Sequence, residues 1–205
     1  MLSTTVKVSS VTNLSDARYC AGMGVDMLGF TLDEDDPNYV SPEKYNEIRS
    51  WVAGVQLVGE TRSADAGEIL LRMEKYSPDM LQISIPEMLP LLSKELDIPL
   101  LLRLDVDQVS PEILTEILQK YGDLTRYVLL ESSQNNDLDE EWKPLLRNHE
   151  FPLLLGCGLT NIEQVHEYLR EYRLAGISLT GSDEERPGYK DYGLLMDILE
   201  SLETD

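Results

Sequence analysis

Eight times along the chain, about once every 25 residues, a short apolar run gives way to a turn and then to a stretch with helical spacing. The first such unit is Val6-Lys7-Val8-Ser9-Ser10-Val11-Thr12-Asn13-Leu14-Ser15-Asp16-Ala17-Arg18. Its β-branched valines favour a strand, Asn13 and Ser15 are turn or cap residues, and Asp16 falls in a first helical turn, where the helix dipole favours a carboxylate. Further strands are expected at Met27 to Leu32, Ala53 to Val58, Met80 to Ile85, Pro99 to Leu104, Tyr127 to Leu130, Pro152 to Leu155 and Gly176 to Leu179. Between them, Ser41-Pro42-Glu43 and Ser110-Pro111-Glu112 read as helix starts, with Ser as cap and Pro at the first position.

Strands this short and apolar suit burial on both faces, as in a parallel sheet. The sheet is either closed into a barrel or open and doubly wound. The first strand-helix turn lacks the Gly-x-Gly-x-x-Gly fingerprint of a dinucleotide fold, which favours the closed form. The expected fold is therefore α/β, a (β/α)8 TIM barrel, with a single domain over residues 1–205. A chain of 205 residues with 42% hydrophobic side chains can bury one core and is short for two ordinary domains.

Chemistry in such a barrel sits where strands end and helices begin. After the seventh run comes Gly156-Cys157-Gly158-Leu159-Thr160-Asn161, and after the eighth Thr180-Gly181-Ser182. A phosphate site at Gly156, Cys157, Gly158, Thr180, Gly181 and Ser182 is one use of these loops, because glycines let backbone N–H groups and a helix N-terminus approach an anion. Relief of tight turns is the other. Asp105 and Asp107 point toward the same rim, either pairing with Glu131 as acid and base or, as the default, standing as solvated loop carboxylates, and the long acidic loop from Asp33 to Val40 suits a lid, although charge runs usually face solvent. Cys157 between two glycines reads as a small packing residue before a nucleophile, and His149 and His166, away from strand ends, as surface or packing residues.

Seventeen basic against thirty-eight acidic side chains give a formal charge of −21, which disfavours nucleic acid and anionic membranes as partners and requires a locally positive pocket for any anionic ligand. No basic-apolar leader and no apolar run near the ~20 residues of a membrane span is found, so a cytoplasmic protein is expected. Cys20 and Cys157 form no metal-ligand spacing with His149 or His166, so neither a disulfide nor a metal is expected.

Several blocks together resemble the phosphoribosylanthranilate isomerase family of tryptophan biosynthesis: Val6 to Ala17, Gly22 to Asp26, Leu28-Gly29-Phe30, Tyr39-Val40-Ser41-Pro42, Gly158-Leu159-Thr160 and Pro187-Gly188-Tyr189-Lys190-Asp191. The resemblance implies a (β/α)8 barrel, a small phosphorylated metabolite as ligand, no cofactor, and a monomer or homodimer. It also implies an Amadori rearrangement, in which a general acid opens the ribose ring and a general base removes the proton on C2 of the Schiff base. The family's base is a Cys in strand one, and that position here is Ser9, followed by Ser10 in place of Gly. The acid, an Asp at the end of strand six, corresponds to Glu131, and the Arg that receives the anthranilate carboxylate corresponds to Asn38. Ser132-Ser133-Gln134-Asn135-Asn136-Asp137 replaces the glycine-rich segment after the acid. A serine hydroxyl is far less acidic than a thiol of pKa ~8.5 and needs a neighbouring base to act. These departures imply a ligand pocket with weak or no isomerase activity; the alternative is an active isomerase using Glu131 as general acid and an unidentified base.

Overall fold

A computed structural model describes residues 1–134, 136–180 and 193–204, together with the backbone of 184–186 and 189–190. The elements run β1 (Thr5–Ser9), α1 (Leu14–Gly22), β2 (Met27–Thr31), α2 (Pro42–Trp51), β3 (Gln56–Glu60), α3 (Ala66–Tyr76), β4 (Met80–Ile83) and α4 (Leu89–Glu95). The second half continues β5 (Leu100–Asp105), α5 (Pro111–Tyr121), β6 (Tyr127–Glu131), α6 (Lys143–Asn148), β7 (Leu153–Leu155), α7 (Ile162–Glu171), β8 (Gly176–Thr180), β9 (Glu184–Arg186), β10 (Tyr189–Lys190) and α8 (Gly193–Ser201). Strands β1 to β8 form a closed barrel in sequence order, every neighbour parallel, so the chain is a single-domain (β/α)8 TIM barrel. Closure joins β1 to β8 with Thr5 opposite Gly176, and a side chain at 176 would collide with the Thr5 carbonyl oxygen.

Local chemistry accounts for the helices. The side chains of Asn13, Ser41, Asp65, Ser110 and Asn161 each accept a hydrogen bond from the backbone N–H three residues on, capping α1, α2, α3, α5 and α7. Among the described residues, no helix is long and apolar enough to cross a membrane.

Strand alternation divides the barrel interior into two storeys. Val6 and Val8 pack outward against the helices, which turns Lys7 and Ser9 inward. Met27, Val58, Met80, Leu101, Leu129 and Leu154, one from each of β2 to β7, form a separate apolar cluster inside the barrel. Two residues further along stand Gly29, Glu60, Gln82, Arg103 and Glu131 on the same strands, and Gly156 just past the end of β7. The lower storey is thus a packed core and the upper storey is polar.

Three expectations about element ends are corrected. The third strand is Gln56–Glu60 rather than Ala53 to Val58, because Gly54 sits at φ +77° and turns the chain before the strand begins. Strands β5, β6 and β8 each extend one residue past their apolar runs, to Asp105, Glu131 and Thr180. After β8, where a plain loop was expected, the backbones of β9 and β10 pair antiparallel, Tyr189 opposite Arg186 and Lys190 opposite Glu184.

Candidate functional site at the barrel mouth

Lys7 is completely buried, and its Nζ donates to Ser9 Oγ and to Glu60 Oε1. An ammonium inside a protein is costly unless paired, and the carboxylate that pairs it comes from the next-but-one strand, at the end of β3. Gly29 on the intervening strand makes the pairing possible, since a Cβ there would overlap the Glu60 carboxylate. The second oxygen of Glu60 accepts from the Ser10 backbone N–H at 3.2 Å. Ser10 has φ +56°, a left-handed conformation that favours glycine, so the chain carries strain at this corner of the mouth. Ser9 is itself buried, 3.2 Å from the hydroxyl of Ser178 on β8.

Glu131, the last residue of β6, receives a hydrogen bond from Arg103 Nε at 2.8 Å on its Oε2. Gly156 leaves room for it, because a Cβ there would come 2.8 Å from Glu131 Cγ. Asp105 and Asp107 do not join Glu131 as an acid-base pair; they tie down the segment after β6. Asp107 accepts from the Ser132 hydroxyl at 2.7 Å and the Gln134 N–H at 3.0 Å, and Asp105 from the Ser133 N–H at 3.2 Å. The bond from Ser132, with further ones from Gln134, Asn136 and Ser133, holds the Asp107 carboxyl at a pKa of about 2.

On the other side of the mouth, Asp33 is buried and central, which corrects the view of the acidic run as solvent-facing; of Asp33 to Asp36 only Glu34 and Asp35 are exposed. Asp33 accepts from the Thr61 hydroxyl at 2.6 Å, the Arg62 N–H at 2.7 Å and Arg72 Nη1 at 2.5 Å. Asp36 pairs with the Arg62 guanidinium. Asn38 lies in the same loop, its N–H bonded to Asp36 Oδ1 at 2.8 Å, and is outside the residues lining the central cavity.

Of the six residues expected to hold phosphate, Gly181 and Ser182 lie outside the described residues. Thr180 is exposed at the end of β8 and lines the cavity. Gly158 has φ +68°, and α7 begins four residues later at Ile162, with Asn161 as its cap. Tyr168 and Asp137 press on this loop: a Cβ at Gly158 would lie 3.1 Å from the Tyr168 hydroxyl oxygen and 3.3 Å from Asp137 Oδ1. Cys157 is buried, and burial first, then the charges of Glu131 and Asp107, push its thiol up to about 12, the state of a packing residue rather than a nucleophile. His149 is likewise buried, at the end of α6, where burial lowers its pKa, and His166 sits within α7; neither lines the mouth cavity.

The cavity at the centre of the mouth encloses about 220 Å³ and brings together Ser9 and Glu131, both expected from sequence. Lining it too are Glu60, Gln82, Arg103 and Arg62, which sequence reasoning passed over. A signal existed for three of them: Glu60, Gln82 and Arg103 each stand two residues after an apolar inward residue on the same strand.

The comparisons with known proteins agree with this architecture. A family model described as N-(5'-phosphoribosyl)anthranilate (PRA) isomerase matches residues 6–201. The N-(5'-phosphoribosyl)anthranilate isomerase of Rhodopseudomonas palustris strain TIE-1 is 26% identical over 216 residues, covering 97% of each chain. That of Aquifex aeolicus is 23% identical, covering 98% of each. Among solved structures, phosphoribosylanthranilate isomerase from Thermus thermophilus superposes with a TM-score of 0.78 at 24% identity, covering 97% of this chain and 98% of that one. A further structure of the enzyme, in complex with reduced 1-(o-carboxyphenylamino)-1-deoxyribulose 5-phosphate, has a TM-score of 0.74 at 21% identity, with the same coverage. With the barrel closed in the same way and the match running from β1 into α8, the chain belongs to the phosphoribosylanthranilate isomerase family.

Proposed function

We propose that this family member binds a small phosphorylated metabolite at the barrel mouth and has weak or no Amadori isomerase activity. One observation carries the reading: Ser9, which takes the position of the family's base, accepts from Lys7 Nζ, and Lys7 is in turn committed to Glu60. An ammonium that donates to a hydroxyl cannot also take that hydroxyl's proton, so Ser9 has no base beside it in Lys7. The alternative, an isomerase with Glu131 as general acid, is less supported, because Glu131 is engaged by Arg103 and Ser9 leaves the reaction without a base.

Phosphate is assigned to the loops after β7 and β8, where Gly158 is left-handed and α7 offers its N-terminus. No cofactor is needed, and the chain acts in the cytoplasm as a monomer or homodimer. Expression in a tryptophan auxotroph lacking the isomerase tests the activity: no rescue is expected despite folded protein, and rescue would overturn the reading. Thermal-shift titration tests the pocket, since a ligand at 100 times its dissociation constant stabilises by ~2.7 kcal/mol.

A further inference from the structure

Three properties of the mouth cavity bear on what lies at the end of the ligand away from the phosphate. First, among the described lining residues none has an apolar side chain. Second, each guanidinium in the lining is already ion-paired, Arg103 with Glu131 and Arg62 with Asp36. Third, Gln82, only 6% exposed, lines the cavity, and its Oε1 has no hydrogen-bond partner. A buried amide oxygen without a donor costs ~1–3 kcal/mol, which a ligand hydroxyl or amine reached by turning the amide would recover.

An aromatic acid asks for the opposite surroundings, a flat apolar wall for the ring and an uncommitted cation for the carboxylate. Freeing Arg103 for such a ligand would strand the partly buried Glu131, whereas Arg62, its side chain 62% exposed, is held by Asp36 only in a weak pair at the rim. The space is also small: about 220 Å³, against ~300–1,000 Å³ for sites that enclose drug-sized ligands. We propose that the mouth selects a sugar-sized, hydroxyl- or amine-bearing ligand and discriminates against aromatic acids. The proposal rests on the mouth being a ligand site, as argued above, and specifies the chemistry of its inner end. Gln82 serves as the central hydrogen-bonding group, with the hydroxyls of Thr31 and Thr180 beside the same cavity.

The test is a binding panel on the wild-type chain with inorganic phosphate, ribose, ribose 5-phosphate and reduced 1-(o-carboxyphenylamino)-1-deoxyribulose 5-phosphate. Ribose 5-phosphate is expected to bind about tenfold or more tightly than the carboxyphenyl compound. Equal or tighter binding of the carboxyphenyl compound overturns the proposal and leaves the phosphate pocket standing. Silence from phosphate and both esters overturns the functional reading; ribose binding in that case upholds a polyol site, and silence from ribose as well removes both. The Gln82→Leu variant is expected to weaken ribose 5-phosphate about fivefold with phosphate affinity unchanged. Unchanged sugar-phosphate binding in the folded variant would overturn the role given to Gln82, and the wild-type panel decides the selectivity if the variant does not fold.

Discussion

At the scale of single residues, the mouth is governed by one buried ammonium. Lys7 has no access to solvent, so its partner Glu60 is a structural requirement before it is anything else. Removing one member of a buried pair leaves an uncompensated charge, and Lys7→Met is expected to lower unfolding stability by ~3–5 kcal/mol, read from the urea midpoint and slope. Adding Glu60→Gln, which removes the stranded charge, should recover a large part of that loss; no recovery would mean that Lys7 matters by packing alone. The strand alternation Val6-Lys7-Val8-Ser9 already shows that Lys7 and Ser9 share a face, but the partner lies 53 residues away, and no local pattern names it. The same neighbour decides what Ser9→Cys would do. A thiol beside an ammonium is favoured as thiolate, so this variant should react with iodoacetamide near neutral pH while Cys157, raised to about 12, stays protected in the folded protein. Combining it with Asn38→Arg is still expected to give no isomerase turnover, because Asn38 does not line the cavity and its loop is anchored on Asp33 and Asp36. Turnover by the double variant, followed by the fluorescence change of the anthranilate ester, would show that the loop can present a cation after all.

At the scale of elements, the expected strands and helices are found in order, and what the apolar runs did not mark as strand were polar last residues, Glu60, Asp105, Glu131 and Thr180. An apolar run ends where side chains stop being hydrophobic, whereas a strand ends where backbone pairing stops. Glu60 pairs in register with Thr31 and Gln82, and Asp105 with Glu131, so these polar residues belong to the sheet although hydropathy assigns them to loops. The fold was therefore legible from periodicity, and the site only in part: Gln82 and Arg103 lie within expected strands on the inward face, whereas Glu60 lies beyond the apolar run that marked its strand. The segment after β6 shows the consequence for stability. Asp107 is depressed to about 2 from an ordinary 3.8, chiefly by the Ser132 hydroxyl. A carboxyl whose folded pKa is below its unfolded value contributes stability that is present above the unfolded pKa and is lost as pH falls through the folded one. The contribution should therefore fade between about pH 4 and pH 2. Asp107→Asn is expected to flatten the fall of the urea midpoint across that window relative to wild type, and an unchanged slope would show that the Ser132 to Asn136 contacts carry no linkage.

At the scale of the whole molecule, a formal charge of −21 has to coexist with the anionic ligand proposed for the mouth. The interior resolves this by pairing: Lys7 with Glu60, Arg103 with Glu131, Arg72 with Asp33 and Arg62 with Asp36 leave the described centre of the mouth close to neutral. The β7 loop lacks that compensation. Asp107, Asp137 and Glu131 all raise the pKa of Cys157, which places their negative field where the phosphate is assigned. Attraction there has to come from backbone N–H groups and the α7 N-terminus, at short range, against repulsion that acts at longer range. Salt screens the second more than the first, with a Debye length of ~10 Å at 0.1 M. Phosphate affinity is therefore expected to hold steady or rise between low and moderate ionic strength, whereas a site built on exposed lysines would lose affinity. Asp137→Asn removes an exposed carboxylate that approaches Gly158, and should tighten phosphate binding about two- to fivefold at low salt, with the gain shrinking as salt is added. Calorimetric titration of inorganic phosphate into the two proteins at two ionic strengths measures both effects. A wild-type affinity that falls steeply with salt, together with no gain in Asp137→Asn, would place the anion away from the β7 loop.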